Sequence, residues 1–157
     1  MDATNMQFSS LLAQITKDFP QYHLNNGKLY HWSPTTQSIT YDPTQPNCAQ
    51  LLHELAHAEL AHITYSLDID LVRLESQAWH YAQNQLSPHY LVPISDELIQ
   101  DHLDSYRNWL HQRSQCPHCK HTGLQTQKNT YSCLNCRYSW GVNNAKQCRL
   151  QRTTLQH

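Results

Sequence analysis

Apolar positions change their period several times along the chain, and each change predicts an element. Over residues 3–19, Met6, Leu11, Leu12, Ile15 and Phe19 recur at three- and four-residue spacings, predicting an amphipathic helix that ends before Pro20. "KLYHW" and "SITYD" are β-rich runs separated by "SPTTQ", the pattern of a hairpin. "DPTQPN" then breaks the chain, and Asn47 is placed to cap a helix running from about Cys48 to Ile63. "SLDID" reads as a connection with Asp68 or Asp70 as the next cap, and "LVRLESQAWHYAQNQL" as a second helix. "SPHYLVP" reads as a loop, after which Ser95, Asp96 and Glu97 open a third helix ending near Arg113. From Ser114 to Gly141 the pattern turns to short strands at "GLQTQ", "TYSC" and "YSWG". The residues from Val142 onward are polar, and disorder is expected there. The chain shows no internal repeat or low-complexity segment.

These elements predict an α+β fold: a compact, mostly helical domain over 1–113 with a small hairpin, a cysteine-containing module over 114–141, and a basic tail over 142–157. A chain of 157 residues suits one small catalytic domain plus a mini-domain. No apolar stretch approaches the roughly 18 residues of a membrane span. The first 25 residues lack the basic start and apolar core of a signal peptide, so a cytoplasmic protein is expected.

The formal net charge of −1 conceals an asymmetry. All twelve acids lie at or before Asp104, where the only bases are Lys17, Lys28 and Arg73. From Ser105 onward there is no acid against eight bases: Arg107, Arg113, Lys120, Lys128, Arg137, Lys146, Arg149 and Arg152. Such a division implies two jobs, or one half that docks on something anionic.

The chemistry begins at residues 53–62, "HELAHAELAH". Helical residues four apart differ by only about 40° in direction, so His53 and His57 point the same way and two imidazoles can grip one zinc ion. Glu54, adjacent to the first histidine, is placed to hold the water that completes the metal's coordination and to take its proton. His62 is nine residues past His53, about 900° around a continuous helix, so it is expected on the opposite side as a surface or supporting residue. Glu59 reads as a solvated helix position. Glu75 in the next helix is the leading third ligand, because Ala78 and Ala82 share its stripe and let that helix approach closely. Asp68, Asp70 and His80 are the alternatives. Two histidines, a glutamate and an open water position form a catalytic zinc pattern. Tyr65, His80, Tyr81, His89 and Tyr90 are candidate oxyanion donors.

"LLHELAHAELAH" followed by "LESQAWHYA" resembles the ImmA/IrrE-like metallopeptidases, whose pattern is an H-E-x-x-H helix and then E-x-x-A-x-x-x-A on the following helix. His53, Glu54, His57 and Glu75 fall on the ligand, base, ligand and ligand positions, and the resemblance covers roughly residues 5–90. It implies a zincin minidomain, intracellular proteolysis of a protein substrate, often a DNA-binding repressor, and a substrate-binding edge strand, for which "SITYDP" is the candidate. Ala56 stands where that family commonly has glycine.

Four of the six cysteines form the pairs Cys116/Cys119 and Cys133/Cys136, a C-x2-C-x13-C-x2-C spacing that reads as a closed structural zinc ribbon in a reducing compartment. Lys120, Lys128 and Arg137 alternate with Tyr131, Tyr138 and Trp140, a mixture suited to weak, sequence-independent nucleic-acid contact. The aromatics serve equally well as the ribbon's own core. A zincin with a C-terminal ribbon is also similar to the SprT-like proteases, which act on proteins attached to DNA, although their histidine-containing H-G-x-x-F-like stretch is absent here. A third reading is a non-catalytic nucleic-acid-binding zinc protein that retains the zincin shell.

Overall fold

In the computed structural model, which describes residues 3–144 and 150–155, helices combine with two separate sheets, an α+β arrangement. The chain forms two compact units: residues 1–63 with 76–99, and residues 64–75 with 100–157.

The first unit opens with α1 (Ala3–Asp18). Its buried face is Phe8, Leu11 and Ile15, at spacings of three and four. Met6, expected on that face, is exposed, because it lies about 200° around the helix from Phe8. Strands β1 (His23–Asn26), β2 (His31–Ser33) and β3 (Ser38–Tyr41) follow. The predicted hairpin is present, with β2 antiparallel to β3, and β1 adds parallel to the other side of β3. The order β1-β3-β2 makes "SITY" the central strand, so the expectation that this segment is the edge is corrected: β2 is an edge strand.

Helix α2 (Cys48–Glu59) is capped as expected by Asn47, whose side chain accepts the Gln50 N–H at 3.0 Å. It is buried over most of its circumference, with Leu51, Leu52, Leu55 and Ala56 wholly inside, and it packs on β2 and β3. The helix ends at Glu59 and not at Ile63. Ala61 adopts a left-handed φ of 53°, the Ala61 N–H bonds Ala58 O at 3.0 Å, and the His62 N–H bonds His57 O at 3.0 Å. These are the paired bonds of a Schellman motif, which folds the chain back over the last turn.

The predicted second helix is α3 (Asp68–Tyr81), followed by a π-helical turn over Ala82–Leu86 and the short α4 (Ser87–Tyr90). The segment "SPHY" is therefore helical, against the loop its sequence predicts. Pro88 sits in the first turn of α4, where no intrahelical N–H is required, so helix continues until Leu91 turns left-handed at φ 55°. Helix α5 (Asp96–Ser114) starts where Ser95 Oγ accepts the Leu98 N–H at 3.2 Å.

The second unit contains β4 (Leu124–Gln127), β5 (Thr130–Ser132), β6 (Ser139–Val142) and β7 (Arg152–Thr154), an antiparallel sheet in that order. Disorder is expected in the tail; Arg152–Thr154 instead pairs with β6. Trp140 stacks on Tyr131 with ring centres 5.6 Å apart and gives its indole N–H to Arg113 O at 3.0 Å. Gly123 makes this possible, since a Cβ there would meet Trp140 Cη2 at 2.3 Å.

A buried ion pair fastens this unit. Arg113 and Asp68 are almost wholly inaccessible, with Arg113 Nε donating to Asp68 Oδ2 at 2.6 Å. The Tyr131 hydroxyl donates to the same oxygen at 2.6 Å, and Arg113 also donates to Asn129 Oδ1 at 2.7 Å and to Asn143 O. Burial first, and then the bond to Asp68, push the Tyr131 hydroxyl far above its ordinary range, so it remains a donor. Removing one member of such a pair strands the other's charge. Asp68→Ala should therefore cost about 3–5 kcal/mol in urea unfolding followed by tryptophan fluorescence. A loss below about 1 kcal/mol would show that the pair is dispensable.

Candidate metal centres

His53, Glu54 and His57 all come from α2, a helix driven inside by its leucines and alanines. His53 Nε2 and His57 Nε2 lie 3.1 Å apart. Two nitrogens at zinc-ligand distance with a tetrahedral angle between them lie about 3.3 Å apart, so the spacing fits one shared ion. One donor atom from each of His53, His57 and Glu75 forms a group within 4.8 Å. His53 is 3% and Glu75 6% exposed. Dry polar groups of this kind require strong partners, and the donor set suits zinc. The alternative third ligands are engaged elsewhere: Asp68 with Arg113, Asp70 with Arg73 at 2.5 Å, and His80 Nδ1 with Ser76 O at 2.6 Å.

Glu54 is 7% exposed, and its carboxylate is held by two donors. The backbone N–H of Trp32 reaches Oε2 at 2.9 Å, and Gln50 Nε2 reaches Oε1 at 2.9 Å. Each carboxylate oxygen accepts more than one hydrogen bond, so acceptor capacity remains on both. Trp32 is paired with Ile39 in the β2–β3 ladder, and its N–H faces away from β3 towards Glu54, as alternate N–H groups of an antiparallel edge strand do.

Three further residues shape the site. Trp79, one turn beyond Glu75 on α3, stacks on the His53 ring with centres 4.2 Å apart and planes at 18°. His62 Nδ1 lies 2.8 Å from His57 Nδ1, which overturns its expected place on the opposite side of the helix, since the helix stops before reaching it. Trp32 touches Glu54 through its backbone and the His62 carbonyl through its indole N–H at 3.2 Å. The i, i+4 spacing of Glu75 and Trp79 is a readable signal for one of these contacts; nothing in the pattern announces the other two. Trp32 and His62 also line a cavity of about 370 Å³ with Tyr22, Ala58 and Ile63. Among the candidate oxyanion donors, Tyr90 gives its hydroxyl to Asp18 at 3.0 Å, and His89 lies 3.5 Å from the same carboxylate.

The four ribbon cysteines form the second group. Cys116 and Cys136 Sγ are 3.7 Å apart, and Cys119 and Cys133 Sγ 3.4 Å. Thiolates on one tetrahedral zinc lie about 3.8 Å apart, whereas a disulfide needs about 2.0 Å. The His121 backbone N–H, followed by the Asn135 side chain, draws the Cys119 thiol down to about 5, whereas Cys136, against the Tyr138 backbone N–H, is pushed up by burial and the neighbouring thiols. The two C-x-x-C turns repeat one geometry. Lys120 N bonds Cys116 O at 3.0 Å and Arg137 N bonds Cys133 O at 2.9 Å, with left-handed φ of 66° at Lys120 and 61° at Arg137.

Tyr131 and Trp140 are core residues, 1% and 0% exposed, and offer no stacking face to a ligand. Lys120, Lys128 and Arg137 are exposed, while Arg113 is buried and Arg107 pairs with Asp104 at 2.8 Å. Lys146 and Arg149 lie outside the described residues. None of the described helices is long and apolar enough to cross a membrane.

No protein-family model, curated protein or solved structure matches the chain. Metal analysis separates the two groups. The wild-type protein should bind two zinc ions per chain, Glu75→Ala one, and Cys116→Ser with Cys133→Ser should release the other. Two ions retained by Glu75→Ala would remove that residue from the ligand set.

Proposed function

We propose that this chain is a zinc-dependent metallopeptidase of the ImmA/IrrE-like kind, built on a zincin minidomain, that hydrolyses peptide bonds of a cytoplasmic protein. The observation carrying this reading is the convergence of His53, His57 and Glu75 next to a buried glutamate whose carboxylate is oriented by two donors. When bound, zinc supplies Lewis acidity, polarising the scissile carbonyl and acidifying a water. His53, His57 and Glu75 hold the metal. Glu54 accepts the attacking water's proton and delivers it to the leaving amine. The Trp32 N–H and Gln50 amide keep the carboxylate from rotating away during that transfer. Trp79 covers the face of His53 and excludes solvent from it. Edge strand β2, beside α2, takes the role of aligning an extended substrate, and the cavity behind Trp32 and His62 accepts a side chain.

Glu54→Gln keeps size and hydrogen bonding while deleting the base. Turnover of fluorescein-labelled casein should fall at least about 100-fold, with zinc content unchanged. Equal turnover by the variant would remove Glu54 from the mechanism. Absence of cleavage by a fully zinc-loaded wild type would favour the non-catalytic zinc protein.

A second reading, nucleic-acid contact through the ribbon, is favoured by one observation. The position after each C-x-x-C adopts a left-handed conformation that glycine occupies without cost, yet it holds Lys120 in one turn and Arg137 in the other. A non-glycine residue there costs about 1 kcal/mol, and strain of this kind is retained where the side chain is used. Such contact also suits the SprT-like alternative, a protease acting on DNA-bound protein. The test requires the full chain, because a fragment starting at residue 105 would separate Arg113 and Tyr131 from Asp68. Lys120→Gly with Arg137→Gly should raise the melting temperature while weakening binding to single-stranded DNA. The salt slope should fall by about one for each phosphate that is no longer neutralised. Unchanged affinity in fluorescence anisotropy would reduce the ribbon to a folding module.

A further inference from the structure

His57 presents Nε2 to the metal group, 3.1 Å from His53 Nε2, which leaves Nδ1 on the far side of its ring. A neutral imidazole that ligates through Nε2 carries its proton on Nδ1. That proton needs an acceptor, and the acceptor decides how the ring is turned. His62 Nδ1 lies 2.8 Å away, within hydrogen-bond reach, with the two rings at 67°. We propose that His62 is a positioning residue for the metal centre: it accepts the Nδ1 proton of His57 and thereby fixes the tautomer and the angle at which Nε2 faces the ion. The inference rests on the metallopeptidase reading of His53, His57 and Glu75.

The backbone explains how a residue five positions after His57 reaches it. In a continuous helix these residues diverge by about 140°. Here α2 ends, Ala61 turns left-handed, and the His62 N–H returns to His57 O at 3.0 Å, the outer bond of the Schellman motif. Residues joined by that bond commonly bring their side chains together in an apolar contact. This chain has an imidazole at each position, so the capping geometry yields a hydrogen bond in place of a greasy one. Two further contacts fix the arrangement. Trp32 Nε1 donates to the His62 carbonyl at 3.2 Å, and the same residue's backbone N–H donates to Glu54 Oε2. One tryptophan thus sets the base and the histidine that orients a ligand. His62 is only half-buried, so replacing it leaves the wholly buried residues of α2 in place.

The bond can be tested by the position of the acceptor atom. In asparagine Oδ1 occupies the place of histidine Nδ1, whereas in glutamine the acceptor lies one atom further out. Zinc affinity of the labile site is measured on the full chain by competition with a chromophoric chelator, for wild type, His62→Ala, His62→Asn and His62→Gln. Removing such a partner costs roughly 10- to 100-fold in metal affinity, which is the effect expected for His62→Ala and His62→Gln. His62→Asn should stay within a few-fold of wild type. In cobalt-substituted protein the visible ligand-field bands should shift for His62→Ala and return for His62→Asn. Melting of the proteins stripped of the labile ion should be alike throughout, separating the effect from a general loss of stability. Wild-type affinity in His62→Ala, or no recovery in His62→Asn, would overturn the role of His62 while leaving the metal centre intact. A wild type that takes up only the ribbon ion would overturn both at once.

Discussion

A helix buried over most of its circumference that carries His53, Glu54 and His57 must satisfy every one of them from within. This constraint organises the first unit. The leucines and alanines of α2 supply the apolar driving force that takes the helix inside, and the three polar residues are carried in with it. Each then meets a specific partner: Trp79 covers the face of His53, Trp32 and Gln50 hold Glu54, and His62 meets His57. Burying these groups is unfavourable unless their polar atoms are engaged, so the elements around α2 are arranged as much by its polar residues as by its core. Edge strand β2 shows this directly, since its Trp32 N–H is spent on a carboxylate. The same burial that makes the groups costly would make them effective around a metal, because a dry surrounding strengthens every electrostatic contact.

The second unit solves a different problem. A ribbon of short strands has little core of its own, and its stability comes from cross-links. Four sulfurs would provide one on binding a metal, with spacings suited to a tetrahedral ion. The Asp68–Arg113 pair provides another, joining the start of α3 to the end of α5, with Tyr131 from β5 closing the network. Tyr131 and Trp140 are accordingly structural, Arg107 pairs with Asp104, exposed Arg152 donates to Gln112 O, and the other exposed bases among the described residues from Ser105 onward are Lys120, Lys128 and Arg137. The contrast between buried Arg113 and these three shows why a charge count along the chain overstates a basic surface. The compact unit also takes in Asp68, Asp70 and Glu75 from the segment before it, so it is not the acid-free stretch that begins at Ser105.

Much of this protein is legible in its amino-acid order. The i, i+4 spacing of His53 and His57, the two C-x-x-C pairs, the Asn47 and Ser95 caps, the β2–β3 hairpin and the α+β class are local properties, fixed by helix geometry, turn chemistry and short-range period. Glu75 can be named because a carboxylate sharing a stripe with small residues is also a local pattern. The residues that tertiary structure alone decided are those whose role depends on where an element stops or on what lies across from it. The position of His62 follows from termination of α2 at Glu59, and Ala61 gives no compositional sign that it will turn left-handed where glycine usually does. Trp32 reaches Glu54 because β3 became the central strand, an outcome set by the parallel addition of β1 that no periodicity encodes. Asp68 and Arg113 read as an ordinary cap and an ordinary base, yet 45 residues apart they form the buried pair that anchors the ribbon. Spacing determines which side chains share a face; only the folded chain determines which faces meet, because that choice rests on long-range burial to which each residue contributes a small part.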